Sequence, residues 1–446
     1  MFKRIFIANR GEIAVRIIRA CRELGIESVS AYSTADKNSI HTKLSDKSIC
    51  IGSSPPAKSY LNIDNIITAA QVTGCDAIHP GYGFLAENSR FVDICNQNNL
   101  IFIGPPAEVI SLAGNKSKAI EVMKRNKIPV IPGSSGNVNR IKTALKLSRR
   151  LGYPVIIKAS FGGGGKGMRI CNDKKDLVAH LPLAKSESES SFGNGEVYIE
   201  KYISKPRHIE FQIIADNYGN TVCVGERECS IQRRHQKLIE EAPAVNLPIK
   251  TSRLMREFAL RAARAVNYKN LGTIEFLLDG QNNFYFIEIN TRIQVEHPVT
   301  EMVTGIDLVK EQIRIAYGQK IDNLREDYKP RGHSIEFRIN AEDPDNDFMP
   351  CPGKITESFL PGGPGVRVDT FISPNCEVSP FYDSLIAKLI VWDSTREEAI
   401  LRSIRALDEF RIEGIKTTIP FYKKIIKNKN FISGNIHTHF IEEEIK

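Results

Sequence analysis

The sequence predicts an α/β protein that begins with a doubly wound parallel sheet. Over about the first 110 residues, short apolar strands alternate with amphipathic helices, an order typical of a parallel sheet with helices on both faces. Further along, polar and apolar residues alternate on both sides of Asp279-Gly280, which indicates an antiparallel hairpin. The 446 residues are 41% hydrophobic and 25% charged, as expected for two to four globular domains with large buried cores.

The first part of the chain carries the strand and helix signals in regular succession. The strand RIFIAN passes through Arg10 and Gly11 into the helix EIAVRIIRACRELG, whose apolar residues recur at helical spacing. Gly25 ends that helix, and ESVSAYS, DAIHPGYG and LIFIGPP are further strands, with a helix near NSRFVDICNQNN. Because ANRGE is not a G-x-G-x-x-G turn, this first part does not predict a dinucleotide site.

A smaller unit follows, set off by a flexible connector. The helix GNKSKAIEVMKRNKIPV ends at Ile128-Pro129, and IIPGSSGNVN is a hinge-like stretch. Next come the helix RIKTALKLSRRLG, the strand PVIIKAS, the loop FGGGGKG, the strand MRICN and the closing strand EVYIEKYIS. Strands with period-two texture and the long helix TSRLMREFALRAARAVN follow Pro206, and after NLREDYKPRG the chain reads as a mixed α/β domain.

The glycine loop between two strands has two interpretations. It is not a Walker A loop, because Lys166 is followed by Gly167 and no Ser or Thr is placed to hold magnesium. Four consecutive glycines allow backbone N–H groups to converge on phosphate oxygens. Lys158 and Lys166 supply two cations, which favours a lid over a nucleotide polyphosphate. The alternative is a flexible turn without a ligand.

The hairpin predicts a pair of facing carboxylates. Glu275 and Glu288 are equidistant from a centre between Gln281 and Asn282, so without a bulge they lie opposite each other, about 5 Å apart. Facing carboxylates repel unless a cation lies between them. Carboxylates with an amide oxygen from Asn290 suit magnesium, which completes its shell with substrate phosphates. The alternative is a solvated amphipathic strand.

The same parity continues past Asn290 through Arg292, Gln294 and Glu296, which predicts one long polar strand face. The guanidinium of Arg292 suits a carboxylate or bicarbonate. Glu296 is either the ion-pair partner of an arginine or, in a closed pocket, a base. A second strand, HSIEFRINAED, is a candidate border of the same cleft, since its polar residues share one parity: Glu336, Arg338, Asn340 and Glu342.

Charge and cysteine content restrict the function classes. With 61 basic and 52 acidic residues, the net charge of +9 indicates solubility or an anionic ligand. Nucleic acid is disfavoured because no Lys/Arg run or aromatic-rich basic motif occurs. The nine cysteines form no C-x-x-C pair, so neither zinc nor a disulfide framework is predicted, and we expect a reducing cytoplasm. Arg10 and Glu12 interrupt any signal-peptide core, and no apolar run reaches the roughly 20 residues of a membrane span.

Several of these stretches together resemble the biotin carboxylase family of ATP-grasp enzymes. The resemblance covers essentially the whole chain and rests on long motifs in the family's order: IANRGEIAVRIIRACRELGI, AIHPGYGFLAEN, GYPVIIKASFGGGGKGMR, IEKYISKPRHIEFQI, ERECSIQRRHQKLIEEAP, FIEINTRIQVEHPVTE and RINAEDP. It implies an ATP-grasp fold with a Rossmann-like domain at 1–114, an ATP-grasp domain at 115–330 that contains a mobile Gly-rich lid subdomain at about 131–203, and a C-terminal mixed α/β domain at 331–446.

The resemblance also implies roles for individual residues. The implied ATP-binding residues are Lys116, Lys158, Gly163, Gly164, Gly165, Met168, Glu200, Lys201, Ile203, His208, Gln232, His235, Glu275, Leu277 and Glu288. The implied ligands of magnesium or manganese are Glu275, Glu288 and Asn290. The implied bicarbonate site comprises Lys237, Arg292, Gln294, Val295 and Glu296, and the implied biotin contacts are Tyr82, Gly83 and Arg338. The implied catalytic residues are Lys237, Arg292, Glu296 as base and Arg338 as the group that stabilises the biotin enolate.

Two positions depart from the family pattern. Phe161 stands before the glycines where small residues are usual, and Lys166 stands where arginine is common. We expect the first to alter lid motion without altering the chemistry. The second keeps the charge and loses the bidentate fork.

The implied reaction is ATP-dependent carboxylation of biotin by bicarbonate through carboxyphosphate, the first half-reaction of acetyl-CoA carboxylase in fatty-acid synthesis. The only Met-Lys pair is Met123-Lys124, inside a predicted helix, so we expect biotin to arrive on a separate carrier protein, with carboxyltransferase subunits as further partners. The helix with Arg16, Arg19 and Glu23 resembles the family's homodimer contact; the alternative is an ordinary surface helix.

Other functions stay open from the sequence. The final acceptor can be pyruvate or propionyl-CoA instead of acetyl-CoA. Another ATP-grasp enzyme, one that joins a carboxylate to an amine, would use the same magnesium pair and lid. A non-catalytic protein that binds nucleotides or polyanions is the remaining alternative, suggested by the charge of +9.

Overall fold

The structure, a computed structural model, describes residues 1–134, 136–138, 140–160, 168–322, 324 and 329–445. Three larger sheets organise this part of the chain: a five-stranded parallel sheet, a three-stranded antiparallel sheet and an eight-stranded antiparallel sheet. The predicted glycine lid, with Phe161, Gly163, Gly164, Gly165 and Lys166, lies outside the described residues. Among the described helices, none is long and apolar enough to cross a membrane.

The first sheet confirms the predicted doubly wound arrangement. Its strands are parallel in the order β3-β2-β1-β4-β5. The elements are β1 Arg4–Ile7, α1 Gly11–Glu23, β2 Glu27–Ser33, α2 Ile40–Leu44, β3 Lys47–Gly52, α3 Ile63–Val72, β4 Ala77–His79, α4 Ser89–Gln97, β5 Ile101–Phe102 and α5 Ala107–Gly114. The chain enters α1 through Gly11 at φ +68°, a backbone region that favours glycine.

Helix α1 is buried along most of its length, unlike a surface helix. It packs against β2, and its apolar side chains join a core that includes residues of the antiparallel sheet and of residues 308–321. Arg16 is turned inward, where its Nη2 lies 2.9 Å from Glu301 and 2.5 Å from Asp307. Of the three residues in the implied dimer contact, only Arg19 and Glu23 therefore lie at the surface.

The three-stranded sheet belongs to the compact unit predicted after the connector. Helix α6, Lys116–Arg125, precedes the connector, and after it come α7 Ile141–Leu151, β6 Val155–Ala159, β7 Arg169–Cys171, α8 Lys174–Phe192 and β8 Val197–Lys201, with strand order β7-β6-β8. Its apolar residues form a hydrophobic core of their own. Helix α8 was not predicted, because Pro182 inside it is a helix-breaking signal.

The eight-stranded antiparallel sheet spans the second half of the chain. Its order is β13-β12-β9-β10-β11-β14-β21-β19. Before residue 330 the elements are β9 Arg207–Ala215, β10 Thr221–Arg233, β11 Gln236–Ala242, α9 Ile249–Ala265, β12 Asn270–Leu278, β13 Phe284–Asn290, α10 His297–Thr304 and α11 Leu308–Ala316. After residue 330 they are β14 His333–Asn340, β15 Glu342–Asp343, β16 Met349–Pro350, β17 Gly353–Lys354, β18 Glu357–Phe359, β19 Val366–Thr370, β20 Glu377–Val378, β21 Leu385–Asp393, α12 Arg396–Glu409, β22 Arg411–Glu413, α13 Ile419–Ile425, α14 Lys429–Ser433 and α15 Phe440–Glu444.

The sheet is continuous across the predicted boundary at residue 330, because β11 pairs with β14 from Ile239↔Phe337 to Ala242↔Ser334. The two parts therefore share a ladder of backbone hydrogen bonds as well as side-chain contacts. The three-domain division stays a prediction, and any relative motion across this boundary has to deform the shared ladder.

Two buried histidines predict sensitivity to acid. Burial lowers the pKa of His41 to about 4 and the pKa of His79 to about 3. Because the ordinary value is 6.5, the unfolded chain binds more protons than the folded chain below that pH. We expect the contribution of these neutral histidines to the free energy of unfolding to be intact above pH 6.5. It should be lost progressively as the pH falls towards 4, by up to about 3 kcal/mol for His41.

Urea denaturation between pH 4 and 7 measures this dependence. His41→Gln, which keeps a neutral donor toward the Ala31 carbonyl, should show a shallower loss of unfolding free energy than the unsubstituted protein. His180→Gln, at a half-buried position, is the matched control. An equally steep loss in His41→Gln would contradict the prediction.

Candidate active site

A cavity of about 1140 Å³ lies where the parallel sheet, the three-stranded sheet and the eight-stranded sheet meet. With one exception, every predicted site residue in the described part of the chain lines it: Tyr82, Gly83, Lys116, Lys158, Met168, Lys201, Ile203, His208, Gln232, His235, Lys237, Glu275, Leu277, Glu288, Asn290, Arg292, Gln294, Val295, Glu296 and Arg338. The exception is Glu200, which is buried and pairs through Oε2 with Lys158 Nζ at 2.8 Å. The individual roles of these residues stay predictions.

The predicted pairing of the two hairpin carboxylates is confirmed, although the predicted reason is wrong. Glu275 lies directly opposite Glu288. Nearer the turn, however, Phe276 pairs with Phe286, so the register changes by one residue. A bulge at Ile287 produces this change, since Ile287 is an extra residue of β13 with no partner between Glu275 and Phe276 of β12. Without it, Glu275 would face Ile287 and the two carboxylates would lie on opposite sides of the sheet.

The prediction that one strand face runs from Glu288 to Glu296 is wrong. Strand β13 ends at Asn290, and residues 291–296 form a loop that leads into α10. Its polar side chains nevertheless reach the cavity, because contacts from other elements hold the loop. The Thr291 N–H donates to Glu87 Oε1 at 3.0 Å, and Gln294 Oε1 accepts from Arg227 at 2.7 Å.

Lys237 is the centre of the charge arrangement. From β11 its Nζ donates to Glu210 at 2.6 Å, Glu296 at 2.8 Å and Glu275 at 2.9 Å. Burial by itself would lower the pKa of Lys237, yet the three carboxylates raise it well above its ordinary value. The lysine is therefore a permanent cation that joins the predicted metal ligand Glu275 to the predicted base Glu296.

Arg227 supports this group from beneath and was not predicted. It is fully buried, and all five of its N–H donors have partners. Those partners are Glu210 at 2.5 Å, Gln294 at 2.7 Å, Gln212 at 2.8 Å, and Thr273 and Thr300 at 3.0 Å. The guanidinium thus orients Glu210 toward Lys237 and Gln294 toward the cavity.

Glu296 lies between two cations. Its Oε1 accepts from Lys237, and its Oε2 accepts from Arg338 at 2.9 Å. Burial by itself would raise the pKa of Glu296, but Lys237 and Arg338 outweigh it and hold the pKa well below its ordinary value. At neutral pH Glu296 is therefore ionised, the form that a base requires. Both predicted interpretations of Glu296, ion-pair partner and base, are compatible with this geometry.

Arg338 also pairs with a second acid that was not predicted. Its Nε donates to Glu240 at 2.6 Å. Burial raises the pKa of Glu240 to about 7, against the opposing effect of Arg338. The predicted location of the strand around Arg338 at the same cleft is confirmed, because Arg338, Asn340 and Glu342 all line the cavity.

The hairpin residues fit a divalent cation. Glu275 Oε2 lies 3.0 Å from His208 Nε2, and its Oε1 accepts from Asn290 at 2.8 Å. Glu288 Oε2 lies 2.7 Å from Lys116 Nζ. Two carboxylates and an amide oxygen on one face are the ligands that magnesium prefers. Glu288 contacts Lys116, Glu275 contacts His208 and Lys237, and the Asn290 side-chain oxygen accepts from Arg292. A metal ion therefore has to compete with these groups.

Strand β9, which brings His208 to the cavity and Glu210 to Lys237, carried a sequence signal that was overlooked. In RHIEFQ, His208, Glu210 and Gln212 share one parity in the same way as the polar residues of the hairpin. The cavity residues near the C-terminus, such as His439, carried no such sequence signal. Tyr202 donates to His439 or accepts from it at 3.0 Å across 237 residues of sequence, and no local pattern reports such a contact.

Sequence models of known families match three consecutive parts of the chain. The biotin carboxylase N-terminal domain matches residues 1–110. The ATP-binding domain of the carbamoyl-phosphate synthase L chain matches residues 115–324. The biotin carboxylase C-terminal domain matches residues 336–443.

Curated proteins are similar to this chain over nearly its whole length. Biotin carboxylase 1 of Bacillus subtilis is 52% identical over 443 residues, which cover 99% of this chain and 98% of the relative. A pyruvate carboxylase subunit from Methanothermobacter thermautotrophicus is 53% identical over 446 residues, which cover 99% of this chain and 90% of the relative.

Solved structures have the same architecture. A biotin carboxylase from Campylobacter jejuni, in a β,γ-ATP complex, superposes with a TM-score of 0.97 at 49% identity and covers 99% of both chains. The biotin carboxylase domain dimer of Hydrogenobacter thermophilus 2-oxoglutarate carboxylase, in complex with MgADP, ADP and bicarbonate, superposes with a TM-score of 0.96 at 48% identity, covering 99% of this chain and 98% of that one.

The Arg227 network predicts a large effect on stability. Arg227→Met removes five hydrogen bonds and leaves the buried Glu210 with one cation fewer, so we expect a loss of about 3–5 kcal/mol in the free energy of unfolding. Urea denaturation measures it. Arg125→Met, at an exposed helix position paired with Glu121, is the matched control and should change stability by less than about 1 kcal/mol. Equal stability of the two variants would contradict the proposed support role.

Proposed function

We propose a course for the reaction of this chain from the premise that the chain belongs to the biotin carboxylase family. The chain catalyses the ATP-dependent carboxylation of biotin with bicarbonate, giving carboxybiotin, ADP and phosphate. The observation that carries the site assignment is the position of Glu296 between Lys237 and Arg338, in the same cavity as Glu275 and Glu288.

The nucleotide occupies the end of the cavity near the hairpin. Lys116 and Lys158 supply cations for its phosphates, and Glu275, Glu288 and Asn290 would hold a magnesium ion or manganese ion. Such an ion would supply further positive charge for phosphoryl transfer. The adenine lies at the predicted hinge of Glu200, Lys201 and Ile203, whose backbone groups bind the base. The other predicted nucleotide-site residues line the rest of that end: Met168, His208, Gln232, His235 and Leu277. The lid role of the glycines 163–165 over the phosphates stays a prediction, because these residues lie outside the described part of the chain.

Bicarbonate binds next to the loop 291–296. The guanidinium of Arg292, the side chain of Gln294, the backbone of Val295 and the ammonium of Lys237 surround it. Glu296 accepts the bicarbonate proton, and the freed oxygen attacks the γ-phosphorus. The bond from phosphorus to the β-phosphate oxygen breaks, so that ADP leaves and carboxyphosphate forms.

Biotin enters beside Tyr82 and Gly83. Carboxyphosphate separates into carbon dioxide and phosphate, and phosphate removes the proton from the ureido nitrogen of biotin. Arg338 stabilises the enolate charge that develops on the ureido oxygen, as donors do in an oxyanion site. The nitrogen then attacks carbon dioxide to give carboxybiotin, and exclusion of water protects carboxyphosphate meanwhile.

We propose that biotin arrives on a separate carrier protein and that carboxyltransferase subunits complete the pathway. Acetyl-CoA carboxylase in fatty-acid synthesis is the assignment that we favour, although relatives in pyruvate and 2-oxoglutarate carboxylases keep the acceptor open. We propose a homodimer whose contact includes Arg19 and Glu23, which lie at the exposed side of α1, by analogy with the relative that forms a domain dimer. A cytoplasmic location agrees with nine free thiols.

Replacing a proposed metal ligand or a proposed bicarbonate-binding residue should reduce turnover. Glu288→Ala removes a metal ligand, and Lys237→Ala removes the cation beside Glu296. Each loss should cost roughly 3 kcal/mol of barrier, about 100-fold or more in rate. The measurement is ADP release that depends on bicarbonate and is stimulated by free biotin, with circular dichroism as the control for folding. Stimulation by an amine or amino acid in place of biotin would indicate the alternative carboxylate–amine ligase.

The base is tested separately from nucleotide binding. Glu296→Ala should lose biotin-dependent turnover by about 100-fold and still bind ATP, since Glu296 lies on the bicarbonate side of Lys237. Isothermal titration with a non-hydrolysable ATP analogue measures the binding. Turnover equal to that of the unsubstituted protein would remove Glu296 as the base.

A further inference from the structure

Lys388 lies behind the predicted bicarbonate site and has no role in the reaction described so far. It stands on β21 and is fully buried. Its Nζ donates to the carbonyl oxygen of Val295 at 3.1 Å and forms an ion pair with Glu12 Oε2 at 3.1 Å. Thus a side chain from the C-terminal part of the chain contacts the backbone of the loop 291–296 directly.

We propose that Lys388 is a positioning residue that holds the loop 291–296 in the conformation that binds bicarbonate. The inference rests on the proposed function, because it requires that this loop be the bicarbonate site. The Val295 carbonyl belongs to the peptide group that precedes Glu296. A donor fixed on that carbonyl therefore sets the orientation at which the Glu296 side chain leaves the backbone.

The loop needs such a contact because the sheet no longer holds it. Strand β13 ends at Asn290 and α10 begins at His297, so neither a ladder nor a helix fixes the peptide of Val295. Its carbonyl receives the Lys388 ammonium, and a hydrogen bond from a charged donor is stronger than one from a neutral donor. The chain thus uses a buried cation where regular backbone pairing stops.

The charge of Lys388 is not required elsewhere on its sheet face. The cross-strand neighbours of Lys388 are Asp369 and Arg338. Asp369 lies farther away, at 3.9 Å, and is already bonded to Arg367 at 2.6 and 2.9 Å. Arg338 is engaged by Glu240 and Glu296. Lys388 is therefore committed to Glu12 and to the Val295 carbonyl.

Glu336 is the remaining acid on this face, opposite Glu240 in the neighbouring strand. Both of its carboxyl oxygens are buried and lack hydrogen-bond partners among the residues that the structure describes. Burial raises the pKa of Glu336 well above its ordinary value. Because neither of its oxygens is hydrogen-bonded to Lys388, it does not compete with Glu12 for the ammonium.

Glu12 connects Lys388 to the side of the cavity where we propose that biotin binds. Its Oε1 accepts a hydrogen bond from the hydroxyl of Tyr82, a cavity residue with a predicted contact to biotin. The contacts therefore run from Tyr82 through Glu12 and Lys388 to the peptide before Glu296. Two hydrogen bonds and one ion pair thus connect the proposed biotin contact Tyr82 with the proposed base, through three parts of the chain.

A purely structural lysine would neutralise Glu12 and do nothing more, so the experiment separates charge from hydrogen bonding. Two double variants remove the buried ion pair equally: Lys388→Met with Glu12→Gln, and Lys388→Gln with Glu12→Gln. Neither leaves an unpaired buried charge, which is the main cause of misfolding in such variants. Only the glutamine at 388 has a donor for the Val295 carbonyl.

We expect both double variants to fold and to bind a non-hydrolysable ATP analogue as the unsubstituted protein does, by thermal unfolding and isothermal titration. The methionine variant should show a 10- to 100-fold lower kcat/KM for bicarbonate, about 1–3 kcal/mol, with most of the change in KM. In the glutamine variant, kcat/KM for bicarbonate should be at least about fivefold higher than in the methionine variant. KM for ATP should stay within about twofold.

The outcomes distinguish the inference from the proposed function. An unchanged KM for bicarbonate in the methionine variant, with normal ATP binding, overturns the positioning role and leaves the proposed function intact. Equal defects in the two variants, or parallel losses of ATP and bicarbonate affinity, show a structural role and also overturn it. Absence of bicarbonate-dependent ADP release in the unsubstituted protein overturns the proposed function and the inference together.

Discussion

The buried ammonium of Lys237 is the interaction on which the site depends. Three carboxylates, those of Glu210, Glu275 and Glu296, converge on one nitrogen within 2.9 Å. Removing so many charges from water is costly unless each finds a partner. The arrangement is stable because the carboxylates also bind other donors: Arg227 for Glu210, His208 for Glu275, and Arg338 for Glu296. Every element that brings a member of this network is thereby constrained in its position.

The same network divides the cavity into two functional ends. Glu275 belongs to the hairpin whose partner Glu288 contacts Lys116, the end suited to a metal ion and phosphates. Glu296 belongs to the loop that contacts Arg338, at the end where we propose that biotin binds. Since Lys237 contacts both Glu275 and Glu296, a change of charge at the proposed metal site would act on the proposed base. The site is therefore ready for a reaction in which phosphate chemistry and proton transfer occur next to each other.

Backbone irregularities place the chemistry as much as regular elements do. The bulge at Ile287 turns Glu288 to the side of Glu275, and the end of the strand at Asn290 lets the chain rise over the sheet. A regular hairpin would have presented an isoleucine to Glu275 and carried Glu296 away along the sheet edge. Such irregularities expose backbone groups, and side chains such as Glu87 and Lys388 bind them. Functional loops on rigid sheets commonly need supports of this kind.

The sequence by itself determined the alternation of strands and helices in the first part, the hairpin at Asp279-Gly280, and the residues of the cleft, from Lys116 to Arg338. These features follow from local periodicity, turn chemistry and long motifs, which are written in neighbouring residues. Only the tertiary structure decided the bulge, the end of the strand at Asn290, the sheet shared across residue 330, and the partners Glu210, Arg227, Glu240 and Lys388. Which groups these residues contact depends on the balance of buried charges between segments far apart in the chain, and no pattern within one segment, including the alternation around Glu210, reports such a contact.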